Sequence, residues 1–128
     1  MIRSTNPPIR SPNAERGSGT VMVLGIIAVA LCLALGATAL IQAQAASGRA
    51  RSAADLAALA GATALNSVFA PADPCVTAQR VARANGGDVA GCNIDGEDVT
   101  VTVTVPARIV GIPRRAEAAA RAGPVNPL

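Results

Sequence analysis

The chain has no histidine, no tryptophan and no tyrosine, and Phe69 is its only aromatic residue. Without histidine it lacks the side chain that most often moves protons near neutral pH and the commonest metal ligand. Without aromatic bulk it lacks the large side chains on which a compact globular core leans for buried area. Lysine is missing as well. All eleven basic residues are arginine, and none stands in a run longer than Arg114–Arg115. A net charge of +3 spread this thinly gives neither the stripe nor the patch that nucleic acid binding requires. There is no P-loop and no dinucleotide fingerprint. Of the three cysteines one, Cys32, stands in a hydrophobic run, and the other two without histidine fall short of a structural zinc site. The carboxylates of Asp95, Glu97 and Asp98 gather at one turn, with too few oxygen ligands for calcium. These absences point to a protein that is not an enzyme, with no catalytic residue, cofactor or metal, and without nucleic acid or a small-molecule substrate as partner.

What is present is aliphatic. Apolar residues make up 51% of the 128, mostly Ala, Val and Leu, and many of them stand in one block. From Gly17 to Gly48 no residue is charged, and Val21 to Ile41 is continuously hydrophobic apart from small residues. As a helix this stretch is about 30 Å long, enough to cross a hydrocarbon core. A buried core helix of this length would exceed what so small a domain can enclose. A cleaved secretory signal is the other alternative, with Ala43-Gln44-Ala45 as its small-residue site, although a signal core is normally shorter, about 7–15 residues. Arg3, Arg10 and Arg16 precede the span, and Arg49 and Arg51 follow it. That bias favours a cytoplasmic N-terminus and an extracytoplasmic C-terminal domain. Residues 1–16, with Pro7, Pro8 and Pro12, read as a disordered arm. Within the span, Gly25, Ala30, Ala34 and Gly36 offer faces on which another helix can approach closely. A leucine- and alanine-rich span contains such residues in any case, so both readings stand. Cys32, in mid-span, reads as a small hydrophobe.

Helical propensity continues to Asn66, which gives a membrane and extended helical segment over 17–69. Leu56, Leu59, Ala60 and Thr63 mark one face of it. Arg51 and Asp55 have the spacing of a helical ion pair. An α+β domain is expected over 70–123. Asp73-Pro74 is a helix start, with a capping carboxylate before a proline at the first helical position, and Gly86-Gly87 is the stop. Cys75, Ala78, Val81, Ala82 and Asn85 share one face of that helix. Asp95-Gly96 between alternating segments signals a hairpin. Taken as a two-residue turn, it pairs Cys92 with Val99 and Ala90 with Val101. Ala90, Cys92 and Ile94 then share an inner face with Val99, Val101, Val103 and Val105, while Thr100, Thr102 and Thr104 point outward. Cys75 and Cys92 thus both face the helix–hairpin interface, which predicts a disulfide and an oxidising compartment. Unpaired thiols in a reducing compartment are the alternative. From Arg114 to Ala122 helical propensity competes with an alternating pattern, and a third strand is the preferred reading. Residues 124–128 are expected to be a loose tail.

The stretch ERGSGTVMVLGIIAVALCLALGATALIQAQAASGRARSAADLAALAGATAL resembles the N-terminal segment of TadE/TadG-like Flp pilus-assembly proteins. It has a short basic arm, Arg-Gly-Ser, a hydrophobic span and an alanine-rich helix with the motif Asp55, Leu56, Ala57, Ala58, Leu59, Ala60, Gly61, Ala62. The later CVTAQRVARANGG, the Cys92 strand and DVTVTVTVP are similar to the short actinobacterial TadE-like proteins encoded near a helicase and secretion genes. The likeness covers roughly residues 15 to 123. It implies a membrane-anchored pseudopilin or minor component of a Tad-type pilus or secretion apparatus, with the lipid bilayer and other pilin-like or Tad components as partners. It also implies prepilin-type cleavage at Gly17. The chain departs from the pilin pattern at the fifth mature residue, where Met22 stands in place of glutamate. Two other functions compete: a secreted effector or binding protein released by cleavage near Ala45, and a membrane-tethered binding module unrelated to pili.

Overall fold

A computed structural model describes the backbone of residues 12–125 and the side chains of residues 17–125. Of the expected N-terminal arm, residues 1–11 lie outside the described residues, as do 126–128 of the expected tail. The elements are α1 (Pro12–Asn66), α2 (Pro74–Ala84), β1 (Asp88–Asp95), β2 (Asp98–Ile109) and β3 (Ile112–Ala122). Helix α1 therefore starts five residues before the expected boundary at 17 and stops three before 69. The fold is α+β, as the sequence predicts. It divides into two units that part between Ala37 and Thr38.

The first unit is apolar helix. From Gly17 to Ala37 every residue is exposed, including Val21, Met22, Leu24, Ile26, Leu31 and Leu35. Among the described residues, one helix is long and apolar enough to cross a membrane.

The second unit is a three-stranded antiparallel sheet in the order β1-β2-β3, covered on one face by α2 and by the part of α1 that follows Thr38. Alternation in β2 decides its two faces. Val99, Val101 and Val103 are fully buried and Val105 nearly so, while the threonines between them face outward. Across the ladder these valines meet alanines of β3: Val99 pairs with Ala122, Val101 with Ala120, Val103 with Ala118 and Val105 with Ala116. The alternating pattern at the C-terminus is thus a strand, because its alanines complete an inner face that a helix would have turned away.

On the other side of β2 the register differs from the expected one. Asp95 pairs with Asp98, Ile94 with Val99 and Cys92 with Val101. The turn is Gly96-Glu97, with Gly96 at φ +62° as its first central residue, the place that a type II′ turn gives to glycine. The shift is two residues along β2, so Cys92 and Ile94 keep the inner face. Ala90 does not. The ladder bulges between Val89 and Gly91, and Val89 takes the inner position opposite Val103 while Ala90 is exposed.

Helix α2 starts and stops as its sequence dictates. The Asp73 carboxylate accepts from the backbone N–H groups of Cys75 at 3.0 Å and Val76 at 3.2 Å. At its C-terminus Gly86 adopts φ +80°, and the N–H groups of Gly86 and Gly87 return to the carbonyls of Arg83 and Ala82. This 5→2 and 6→1 pair is the Schellman arrangement. Ala78 and Ala82 are buried against the sheet, whereas Asn85 is exposed. Cys75 and Cys92 form the expected disulfide, with Cα atoms 5.9 Å apart.

Candidate functional site

The family-like motif lies where α1 meets the sheet. Ala50, Ala53, Ala54, Ala57, Ala58 and Ala62 are buried there, at the spacing of three and four that makes one helical face. The valine face of β2 is bulky, so the helix fits it with alanine and glycine. A Cβ added at Gly61 would stand 3.1 Å from the Pro74 carbonyl oxygen and 3.2 Å from Val99 Cγ1. Leu56 and Leu59, which the periodicity made the prominent apolar face, point away from the sheet and are 43% and 59% exposed. With Ala60, Thr63 and Val81 they line an open groove of about 710 Å³ between α1 and α2. The motif therefore combines an inward side of Ala57, Ala58, Gly61 and Ala62 with an outward side of Asp55, Leu56 and Leu59. Arg51 and Asp55 make no ion pair; among the described residues Asp55 has no charged partner.

Two side-chain amides fasten this part of α1 to the ends of the sheet. Gln42 Oε1 accepts the backbone N–H of Val110, in the β2–β3 turn, at 2.8 Å. Asn66 Nδ2 donates to the Glu97 carbonyl, in the β1–β2 turn, at 3.1 Å. The carboxylates of Asp95 and Asp98 flank Arg121 near that second turn. Arg121 donates to Asp98 from Nε at 3.0 Å and from Nη2 at 2.5 Å, with Asp95 3.6 Å away. The hydrogen bonds to Asp98 hold the guanidinium above its ordinary range. The acidic cluster is thus partnered by an arginine.

The span residues singled out in the sequence do not share one face. At 3.6 residues per turn, Gly25 and Gly36 fall within about 20° of each other, and Ala30 and Ala34 within about 40° on the roughly opposite side. Gly25 and Gly36 are exposed, and a Cβ added at either would meet no other atom of the chain within 4 Å. Gly17 lies inside α1 and is also exposed.

Sequence reasoning missed Gln42, Asn66 and the whole β2–β3 tip. A local signal existed for the tip: Val110-Gly111 between Ile109 and Ile112 is a two-residue turn in an apolar alternating context. Both of its residues have positive φ, +51° and +76°.

No curated protein matches the chain, and no solved structure matches it. Residues 17–64, the span together with the alanine face that packs under the sheet, match the family model described as Tad, putative Flp pilus-assembly TadE/G-like, and this family and the one apolar helix fit a single-pass membrane protein with a role in pilus assembly.

Proposed function

We propose that the chain is a pseudopilin-like or minor component of a Tad/Flp-type pilus or secretion apparatus. Its N-terminus is cytoplasmic, its disulfide-bonded domain lies outside, and it works by packing its span against other pilin-like spans. The observation that carries this reading is that the matched segment joins an uncovered apolar helix to a helix whose next turns are fixed to a folded domain. The disulfide supports the extracytoplasmic side for the domain.

Small residues on two sides of the span supply two contact faces: Gly25 with Gly36, and Ala30 with Ala34. Helices meet closely there through van der Waals contact, since lipid gives them no hydrophobic drive. Cleavage after Gly17 would start the mature chain just ahead of the span. Met22 carries no carboxylate to neutralise a neighbouring amino terminus, so we assign cohesion to the small faces.

Release by cleavage near Ala45 has less support. It would separate Gln42, bonded to Val110, and expose the chain just before the buried Ala46. The decisive experiment isolates the membrane-embedded chain from its native host. Tad-type secretion or pilus components are expected to co-purify with it, and its deletion is expected to impair assembly. A clean preparation without such components, together with normal assembly in the deletion strain, sinks the proposal.

A further inference from the structure

The arginines that look scattered in the sequence converge at one end of the sheet. Arg49 of α1, Arg108 at the end of β2, and Arg114 and Arg115 of β3 line a single depression of about 620 Å³. All four are exposed, and among the described residues none of their side chains has a carboxylate or hydrogen-bond partner. Between Arg108 and Arg114 the β2–β3 tip projects Val110 and Ile112, 47% and 55% exposed. The tip is tied by its Val110 N–H to Gln42, the residue that directly follows the hydrophobic run ending at Ile41. Three of the eight acidic residues, Asp95, Glu97 and Asp98, stand at the opposite end of the sheet, beside the other turn.

From this we infer that the β2–β3 tip and Arg49, Arg108, Arg114 and Arg115 form a membrane-docking surface for anionic lipid headgroups. The inference rests on the reading above that residues 21–41 lie in lipid. Gln42 then lies at the boundary of the hydrocarbon, and Val110, bonded to it, lies at the same level. Arg49 follows Ile41 by about 12 Å of helix, within side-chain reach of the headgroup layer. Apolar tips and arginines at this depth are the chemistry of an interfacial anchor: the side chains of Val110 and Ile112 enter the acyl boundary and the guanidinium groups meet phosphates. The charge is complementary, since three of the carboxylates that an anionic surface would repel, Asp95, Glu97 and Asp98, gather at the far turn, and on the sheet Asp88 and Glu117 stand no nearer the tip than Thr104.

Val110 adds an independent observation. A β-branched residue at φ +51° is a backbone outlier, and asparagine or glycine is the usual occupant of such a turn. A strained position filled by an exposed aliphatic side chain is understandable where the side chain itself is needed.

The test uses the full chain reconstituted in bilayers, with Cys32→Ser so that one introduced thiol carries an environment-sensitive fluorophore. Labels are placed by Leu31→Cys, Val110→Cys, Ile112→Cys and Glu97→Cys, and quenching by aqueous iodide is measured in phosphatidylcholine bilayers with and without phosphatidylglycerol. The expected result is strong shielding at 31, quenching at 110 and 112 about threefold weaker than at 97, and a further decrease at 110 and 112 when phosphatidylglycerol is present. In the Arg108→Gln, Arg114→Gln, Arg115→Gln variant that further decrease should vanish. Labels at 110 and 112 quenched as readily as at 97, with 31 still shielded, would overturn the docking surface and leave the span reading intact. A quenched label at 31 would overturn the span reading itself. A phosphatidylglycerol effect that survives the arginine substitutions would remove the headgroup contact.

Discussion

The Gln42 side chain accepts the backbone N–H of Val110 at 2.8 Å, and this bond sets the phase of a helix against a hairpin far away in sequence. Its counterpart is Asn66, which donates to the Glu97 carbonyl at the other end of the sheet. About 36 Å of helix separates the two amides, and about 40 Å of strand separates the two turns they reach. Helix and sheet are therefore matched in length, and a side-chain amide closes each end. Between them the contact is alanine against valine, which is weak in directionality. The two amides supply the register that the packed surfaces alone leave loose.

Gln42→Ala is expected to lower domain stability by about 1 kcal/mol, the usual net worth of one hydrogen bond. The specific signature is amide exchange. The Val110 N–H should lose protection in the variant, while the Val101 N–H in the middle of β2 keeps it. Equal loss at both positions would show a general loosening and refute the local role.

Two glycine-to-alanine changes should have opposite signs. Gly87 follows the α2 cap and abuts the sheet. A Cβ there would stand 2.6 Å from Val103 Cγ1 and 3.2 Å from the Thr104 carbonyl, so Gly87→Ala should cost about 1–3 kcal/mol as overpacking does. Gly48 lies in the interior of α1 with nothing within 4 Å of an added Cβ. Gly48→Ala should stabilise by up to about 1 kcal/mol through helix propensity. Denaturant midpoints of the two variants in detergent test both signs at once.

The contrast shows which parts of this fold a sequence discloses. Alternation in Val99 to Val105 fixes the two faces of β2 whatever the register, and the cysteine pair follows because both sulfurs lie on inward stripes. The exact ladder was less visible, since Asp95-Gly96 reads equally as the two centres of a type I′ turn, and a bulge at Ala90 leaves no mark in the residue types. The inner face of α1 was concealed for a different reason. Leucine normally marks the core side of a helix, but here the sheet already fills the interface with valine, so the helix must present its smallest residues and turn Leu56 and Leu59 outward. The arginine cluster was hidden altogether, because it is assembled from three segments that only the sheet brings to one end.

The disulfide is a large contribution that can be removed. Cys75 and Cys92 are 17 residues apart, and closing such a loop is worth about 3 kcal/mol in the chain-entropy model. In so small a domain the Cys75→Ser, Cys92→Ser variant should unfold at markedly lower denaturant concentration. Thiol counting on the unfolded, unreduced chain should find one reactive group, Cys32. Three reactive thiols in protein isolated from its native host would place the domain in a reducing compartment and contradict the assigned orientation.

The two faces of the span can be tested separately. Gly25→Leu with Gly36→Leu fills one side, and Ala30→Leu with Ala34→Leu fills the other. If each face meets a different neighbour, each double variant should abolish one set of disulfide crosslinks between introduced cysteines and spare the other. Neither pair should disturb the folded domain, whose core begins at Ala46. Crosslinking that is indifferent to both variants would mean that small residues in the span are only a consequence of its composition.

Val110→Asn separates what the tip needs in water from what it needs at a membrane. Left-handed backbone costs an ordinary residue about 1–2 kcal/mol, while asparagine adopts it with local hydrogen bonding, and Asn-Gly is the preferred type I′ pair. In detergent the variant domain should therefore gain stability, by about 1 kcal/mol. In bilayers it should lose shielding of a label at position 112, because a polar amide replaces an aliphatic side chain at the headgroup boundary. A gain in stability with unchanged shielding would reduce Val110 to an ordinary strained turn residue. A loss of stability would show instead that its side chain packs within the domain, leaving no reason to assign it to lipid.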